Sequence, residues 1–303
     1  MAREKRFSKK EWSWIMYDWA NSVYATNIMA AIYPTIFAST IPGGDIRWGY
    51  GTSIATFIVA ILAPFLGAVA DYKGMKKKLF TLFALLGIVF TPLMAALGSW
   101  KLCLVGYVVS RIGFSGSCLF YDSVLTDVTT DERMDEVSSQ GYAWGYIGSC
   151  VPFIACLLIV LNYDKLGLGL QTAMQIAFAI TAAWWLVFTI PMLRDVEQKH
   201  FKPRESGAIA KAIGGIGGTL KEMWSNKAIK FYMIAYFFYI DGVHTIIKLS
   251  TSYGTDLGID ATQLVLALLV TQFVAFPSAI IYGRLSSKYG TRRMLLIAIA
   301  AYF

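Results

Sequence analysis

The chain has little charge, little histidine and little cysteine. Only 15% of its 303 residues are charged, against about 25% in a soluble domain. It has two histidines, and neither a His-Glu-x-x-His helix nor a Gly-x-Ser-x-Gly elbow occurs. The four cysteines lie inside apolar runs, without metal-ligand spacing or a disulfide framework. These absences argue against a soluble enzyme and a disulfide scaffold, and the sequence predicts no metal and no organic cofactor.

Long apolar runs are abundant instead. Hydrophobic residues make up 56% of the chain and the mean hydropathy is +0.55, and crossing a bilayer takes about 20 residues. The runs lie near 12–40, 49–70, 79–98, 101–125, 139–161, 171–193, 230–252 and 262–283, and a ninth begins at Met294. The sequence therefore predicts an all-α integral membrane protein. The long polar connection at 194–229 divides it into an N-terminal six-helix half (1–193), a linker, and the start of a second half (230–303).

Basic residues fall on alternate connections. Residues 1–10, 71–78, 194–230 and 284–293 are rich in Lys and Arg, and Arg133 lies in a connection of the same set, whereas the alternate connections hold only Arg47, Lys101 and Lys165. Cytoplasmic loops carry such an excess, so we expect a cytoplasmic N-terminus. The net charge of +8 is explained by this topology and by contact with anionic lipid of the bilayer. No nucleic acid is expected as a partner.

Two short basic stretches share one template: Gly, three residues, Asp or Ser, a basic residue, Gly, and two adjacent basic residues. The first repeat (67–77) and the second repeat (283–293) each follow an apolar run. Such a repeat predicts two related halves with similar cytoplasmic gating loops. The residues that carry the template are Gly67, Asp71, Lys73, Gly74, Lys76 and Lys77 in the first repeat, and Gly283, Ser287, Lys288, Gly290, Arg292 and Arg293 in the second.

Several polar residues lie within the apolar runs, where each costs several kcal/mol and usually faces the bundle interior. Helical spacing places them on three faces, and we predict substrate or coupling roles for most of them. Arg111 lies roughly 15 Å deep at about 1.5 Å per residue, so we expect it to reach Asp18. Hydrogen bonds that only join helices are the alternative, and Asp122 is close enough to its span end to act as a cap. The three faces are Asp18, Asn21 and Ser22; Arg111, Ser115, Cys118 and Asp122; and Asp241, His244 and Lys248.

The linker contains an amphipathic pattern at 208–224. Its apolar residues are Ile209, Ile213, Ile216, Leu220 and Met223, with lysines elsewhere around the helix. This spacing is typical of a helix that lies in the membrane interface. The Gly-rich run at 214–218 lacks the preceding strand and the Gly-Lys-Ser/Thr ending of a phosphate loop.

The paired repeats resemble the loops after the second and eighth helices of major facilitator superfamily transporters. Several further segments are similar to the vacuole-effluxer-like family, which includes fungal autophagy-related amino-acid effluxers and many bacterial permeases. The resemblance implies a major facilitator fold of two six-helix halves, alternating access, and transport of amino acids or another small solute. The matching segments are Tyr17–Ser22, Phe120–Leu125, Ser139–Tyr146, Tyr239–Thr245, Tyr253–Gly258 and 266–277.

The resemblance also implies a longer protein. The apolar runs supply eight helices and part of a ninth, so the second half is expected to be cut within its third helix and to continue past Phe303. Asp71 would then lack its partner, the eleventh helix, whereas the second repeat would find its own on the fifth helix. In the second repeat, Ser287 replaces the Asp that the family has at this position. The loss of this charge predicts a weaker contact with the fifth helix, the contact that would hold the cytoplasmic side closed. His244 and Ile240 stand where the family favours uncharged polar residues.

Two other functions stay open: a non-transporting membrane sensor or scaffold, and an integral-membrane enzyme in which Asp and His act as acid and base. Proton coupling through Asp18, Asp241 or His244 is a hypothesis at this point. The short N-terminus and compact loops favour a bacterial cytoplasmic membrane, with a fungal vacuole as the alternative.

Overall fold

The computed structural model describes residues 7–34, 41, 43–96, 99–203 and 208–301. Helices account for most of this part of the chain, which contains no named strand, and the predicted all-α membrane fold is confirmed. A 3-10 turn at Asp131–Arg133 precedes α5. The helices are α1 Lys9–Tyr24, continued by a π-helix at Ala25–Ala31, α2 Gly44–Ala70, α3 Met75–Ala96, α4 Trp100–Val128, α5 Met134–Leu161, α6 Leu170–Asp195, α7 Ala208–Ser225, α8 Lys227–Asp256, α9 Ala261–Tyr289 and α10 Thr291–Ala301.

Six of the described helices contain stretches long and apolar enough to cross a membrane: Ile46–Ala70, Met75–Ala96, Trp100–Val128, Asp131–Leu161, Leu170–Asp195 and Gln263–Tyr289. The first and seventh predicted spans are also helical, as α1 and α8, but they are more polar. Asp18 and Asn21 interrupt the apolar face of α1, and Asp241 with Lys248 does the same in α8. A polar span needs other helices around it, because lipid cannot satisfy its side chains.

The most polar span of the first half is also its central helix. Helix α1 packs against α5 and α6, and it contacts α4, while α3 packs against α4 and α6, and α2 against α4. Large aromatic residues of α1 are fully buried in this bundle, including Trp14, Tyr17 and Tyr24. Tyr17 donates a hydrogen bond to Ser117 Oγ of α4 at 2.8 Å. The N-terminal half therefore builds its core around α1.

Among the described residues, the second half meets the first mainly through one helix. Helix α9 packs along α5, and the rings of Phe276 and Trp144 make an edge contact at 5.9 Å. The principal contacts of α8 are with α7 and α9. Aromatic side chains of α8 such as Phe237 and Phe238 are exposed. The division into a six-helix half, a linker and a second half stays a prediction.

The linker forms the helix that its pattern predicts. Helix α7 spans Ala208–Ser225 and packs against α2. Leu220 and Trp224 are exposed, and Lys230 lies 5.4 Å from the Trp224 ring. The side chains of Ile209, Lys211 and Ile213 lie outside the described residues, so the lipid-facing role of α7 stays a prediction.

Candidate functional site

A polar stripe on α1 lies beside a polar stripe on α4. On α1, Asp18, Ser22, Ala25 and Met29 are partly exposed at helical spacing, although much of the rest of the helix is buried. Helix α4 runs antiparallel to it and presents the stripe from Arg111 to Asp122. Tyr121 contacts Asp18 at one end of the two stripes, and Arg111 contacts Met29 at the other end. We call the eight residues Asp18, Ser22, Ala25, Met29, Arg111, Ser115, Cys118 and Asp122 the α1–α4 groove.

The first end of the groove is acidic. Tyr121 Oη donates a hydrogen bond to Asp18 Oδ2 at 2.9 Å. The Trp14 ring stacks on Tyr121 with centroids 4.2 Å apart, and Trp14 Nε1 donates to the Tyr121 carbonyl oxygen at 3.0 Å. Asp122 is exposed and within electrostatic range of Asp18. No ion pair joins either carboxylate to a basic side chain in the described part of the chain, so this end can hold a proton or a cation.

Glycines of α5 form the wall behind Asp18. A Cβ added at Gly141 would lie 2.5 Å from Asp18 Oδ2, and one added at Gly145 would lie 2.6 Å from Ser22 Oγ. Gly148, at the next helical step, faces Trp19 in the same way. Glycine permits this close approach of two helices inside a membrane. The sequence analysis missed these positions, although their spacing of four and three residues was a usable signal.

The other end of the groove is basic. Arg111 is only 8% exposed, and its guanidinium lies 5.5 Å from the centre of the Phe114 ring. Its Nη1 contacts Met29 Sδ in the π-helix, and its Nε has no hydrogen-bond partner among the described residues. The expectation that Arg111 reaches Asp18 is wrong. Asp18 and Met29 are eleven residues apart on α1, or about 16 Å along its axis.

The other predicted site residues lie apart from these two ends. Asn21 is buried, and its Nδ2 has no partner among the described residues. Asp241 is exposed on α8, whose principal contacts do not include α1 or α4. The side chains of His244 and Lys248 lie outside the described residues. The structure thus brings together the stripes of α1 and α4 but does not bring the α8 face to them.

The first repeat is bound to the coil that follows α6. Lys202 Nζ lies 3.1 Å from Asp71 Oδ2, and the Lys202 amide donates to the Asp71 carbonyl oxygen at 2.7 Å. The Lys73 amide donates to the Lys202 carbonyl oxygen at 3.2 Å, and Gly74 makes the turn with a φ of 73°. A Cβ at Gly67 would meet no described atom within 4 Å. Asp71 therefore has a partner in the linker that directly follows the first half.

A buried ion pair between α4 and the first repeat also holds the same coil through hydrogen bonds. Asp127, near the end of α4, is 1% exposed and lies 3.1 Å from Lys76 Nζ of the first repeat. Its Oδ1 accepts hydrogen bonds from the amides of Lys199, at 2.9 Å, and His200, at 2.7 Å. Sequence reasoning missed Asp127 because these partners lie more than 70 residues further along the chain. Lys76 thus fixes the coil after α6 through one carboxylate.

The second repeat lies on α5, the helix expected from the resemblance. A Cβ at Gly283 would collide with Ser139 of α5, so only glycine allows this approach. Ser286 Oγ and Thr291 Oγ1 donate to Asp135 Oδ2 at 2.8 and 2.6 Å. Ser287 instead donates to the carbonyl oxygen of Gly283 in its own helix, at 3.1 Å. The carboxylate therefore belongs to α5 and the hydroxyls belong to the second repeat, whereas the family's pattern has the carboxylate in the repeat.

A polar span packed inside a helical bundle, a groove with charged ends and two basic loops define a polytopic α-helical membrane protein. The chain belongs to the family described as vacuole effluxer Atg22 like, which it matches over residues 48–132 and 126–303.

Its relatives are both bacterial and fungal. The chain is 43% identical over 309 residues to the uncharacterized MFS-type transporter YxiO of Bacillus subtilis, covering 98% of this chain and 72% of the relative. It is 23% identical over 296 residues to an uncharacterized protein of Aquifex aeolicus, covering 97% and 70%. Autophagy-related protein 22 of Coccidioides immitis is 22% identical over 311 residues, which cover 80% of this chain and 51% of the fungal protein.

Proposed function

We propose that the protein is a multi-pass membrane transporter that moves a small solute by alternating access, with amino acids or related metabolites as the solute class. The α1–α4 groove is the observation that carries the proposal, because charged groups inside a helical bundle mark solute and ion pathways. The Bacillus subtilis relative, named as an MFS-type transporter, supports it. The bacterial relatives also match more of the chain than the fungal one, which favours a bacterial cytoplasmic membrane, and the basic residues at the N-terminus favour placing that end in the cytoplasm.

The acidic end of the groove is the proposed coupling site. Asp18 is held by the Tyr121 hydroxyl, which can donate to a carboxylate and can accept from a carboxylic acid. A proton on Asp18 therefore changes the charge of the groove without removing its hydrogen-bond partner. Asp122 adds a second carboxylate, so a single proton or cation relieves the repulsion between them.

The second repeat is the proposed cytoplasmic gate. Its contact with α5 rests on the Gly283 approach and on the two hydroxyl bonds to Asp135. Each hydrogen bond to a charged group contributes about 1.5–3 kcal/mol. A contact with this free energy is strong enough to hold a closed state, and it is weak enough for solute binding to break it. The first repeat, bound to the coil after α6, belongs to the rigid first half in this scheme.

Flux in proteoliposomes tests the proposal. The full-length protein is reconstituted with a panel of amino acids and sugars inside, and a pH gradient is imposed or withheld. We expect saturable, solute-specific flux that depends on the gradient, and we expect Asp18→Asn to remove that dependence. Asp164→Asn, in the exposed turn after α5, is the matched control and keeps it. Absence of flux for every solute contradicts the transport proposal.

The coupling assignment can fail separately. If Asp18→Asn and Asp241→Asn both leave flux and its pH dependence unchanged, neither carboxylate couples transport to protons. The transporter proposal would then stand with a different driving ion or with none.

A further inference from the structure

The buried guanidinium of Arg111 has no charged partner among the described residues. Arginine carries five N–H donors, yet the one hydrogen-bond partner of Arg111 among the described residues is the Met29 thioether, a weak acceptor. Its Nε is buried without a partner, and no described carboxylate pairs with it. An unpaired buried charge costs several kcal/mol. A buried charge that costs this much free energy needs a compensating partner, and the described residues do not supply one.

The residues around Arg111 fix the plane of its guanidinium group. They leave most of its N–H donors without a partner among the described residues. The guanidinium lies over Phe114, whose ring stacks on Tyr24 with centroids 4.7 Å apart. Tyr24 in turn packs against Trp185 in the core. Opposite Arg111, α1 changes from an α-helix to a π-helix at Ala25–Ala31, a local geometry that is frequent at functional sites. The side chain is therefore positioned by a rigid aromatic stack beside an irregular backbone segment.

The charges of the groove narrow the ligand to a monocarboxylate. A planar guanidinium matches a carboxylate through two parallel hydrogen bonds. Phosphate is a less suitable ligand, because the groove offers one cation and two carboxylates, Asp18 and Asp122, which repel a multiply charged anion. A solute with one carboxylate gains the Arg111 bonds and carries less negative charge for these carboxylates to repel.

We propose that Arg111 binds the carboxylate group of the transported solute, so that the substrates are small molecules with a free carboxylate. This inference rests on the proposed transport function and adds the group that recognises the substrate.

The chemistry of the solute gives the first test. Wild-type proteoliposomes loaded with a radiolabelled mixture of the standard L-amino acids are challenged from outside with unlabelled amino acids, with the corresponding amino-acid amides, or with glucose and maltose. The amides keep the side chain and the amine but lack the carboxylate. We expect exchange with the free acids, and we expect the amides to be about 10- to 100-fold weaker, as the loss of a charge-assisted hydrogen bond predicts. This comparison needs no variant and so does not depend on the folding of one.

Substitution gives the second test. Arg111→Gln removes the charge and should abolish the preference for acids over amides, while Arg111→Lys keeps the charge, loses the bidentate geometry and should retain part of it. Arg194→Gln is the matched control, since Arg194 is exposed at the end of α6. Its preference should equal that of the wild type.

The outcomes separate this inference from the proposed function. Exchange of free acids with poor exchange of amides, lost in Arg111→Gln, supports it. Equal exchange of acids and amides, exchange of sugars alone, or an unchanged preference in a folded Arg111→Gln protein overturns it and leaves transport standing. No exchange of any solute contradicts transport itself and this assignment with it.

Discussion

At the scale of single residues, the carboxylates of this protein differ in what holds them. Asp127 is paired with Lys76 and accepts two backbone amides, so its charge is fully compensated. In the part of the chain that the structure describes, Asp18 is held only by a neutral phenol, and Asp122 lies nearby. Composition cannot make this distinction, because both types are aspartates near or within apolar runs. It is the partners that separate a structural anion from a candidate coupling site.

Glu11 provides a pH-dependent link at the start of α1, ahead of the first predicted span. It closes a capping box with Ser8, accepts a hydrogen bond from Thr129 Oγ1 at 2.8 Å and lies 3.4 Å from Arg133 Nη1. Burial alone would raise the pKa of Glu11, but the Ser8 and Thr129 hydrogen bonds and the Arg133 charge outweigh it and hold the pKa below its usual 4.5.

A carboxyl group with a lowered folded-state pKa stabilises the fold above its unfolded pKa and loses that contribution as pH falls through the folded value. We therefore expect Glu11→Gln to lower the thermal unfolding temperature near pH 7 and to matter progressively less below about pH 4.5. Tryptophan fluorescence of purified wild-type and variant protein in detergent, melted across this pH range, measures the difference. A gap that stays constant down to the lowest pH would contradict the pKa assignment.

At the scale of elements, helical periodicity predicted which residues share one face of a helix, but it did not predict which side chains of two helices contact each other. Spacing alone predicts the polar stripes of α1 and α4, and their residues belong to the groove except for Asn21, which is buried. The expected contact between Arg111 and Asp18 failed, because spacing gives the direction of a side chain and not its depth relative to a second helix. Ser287 bonds to its own helix, because adjacent residues point about 100° apart on a helix with 3.6 residues per turn. Its neighbour Ser286 reaches α5 instead.

The α5 glycines should control how α1 sits. Gly145→Ala places a Cβ against Ser22 Oγ and 3.3 Å from Asp18 Cβ, so the Ser22 side chain must move and α1 must give way slightly. Overpacking of this kind costs about 1–3 kcal/mol, which we expect to see as a lower unfolding temperature. Gly215→Ala on α7, where a Cβ would meet no described atom within 4 Å, is the control and should be neutral or slightly stabilising. If both variants melt like the wild type, the close approach at Gly145 is not a constraint.

At the scale of the whole molecule, the two halves meet where α9 and the second repeat lie on α5. The predicted division into halves and the choice of α5 came from the repeat and the family resemblance, and no pattern within the second repeat pointed to Asp135. The bond between Asp135 and two hydroxyls was beyond the sequence, because the donor residues lie about 150 positions away from the acceptor. Long-range pairings of this kind depend on how helices dock.

The Asp135 contact should hold the cytoplasmic side closed. Asp135→Ala removes the acceptor of Ser286 and Thr291, so we expect the second repeat to separate from α5 more often. Spin labels at the exposed residues Glu132 and Arg292, in a background with the native cysteines replaced, report the distance by pulsed electron paramagnetic resonance. A longer or broader distribution than in the labelled parent is the expected result, with Asp164→Ala as the control. Identical distributions would show that this contact does not set the gate.

The claim at the centre of this account is that solute passes along the α1–α4 groove. Ser115 lies partly exposed in the middle of the groove, so Ser115→Trp should fill it, whereas Leu186→Trp adds the same ring on the exposed face of α6. The direct measurement is exchange of the labelled amino-acid mixture in proteoliposomes that contain equal amounts of folded wild type and each variant. The account predicts that exchange is lost in Ser115→Trp and retained in Leu186→Trp. Wild-type exchange in Ser115→Trp would contradict it.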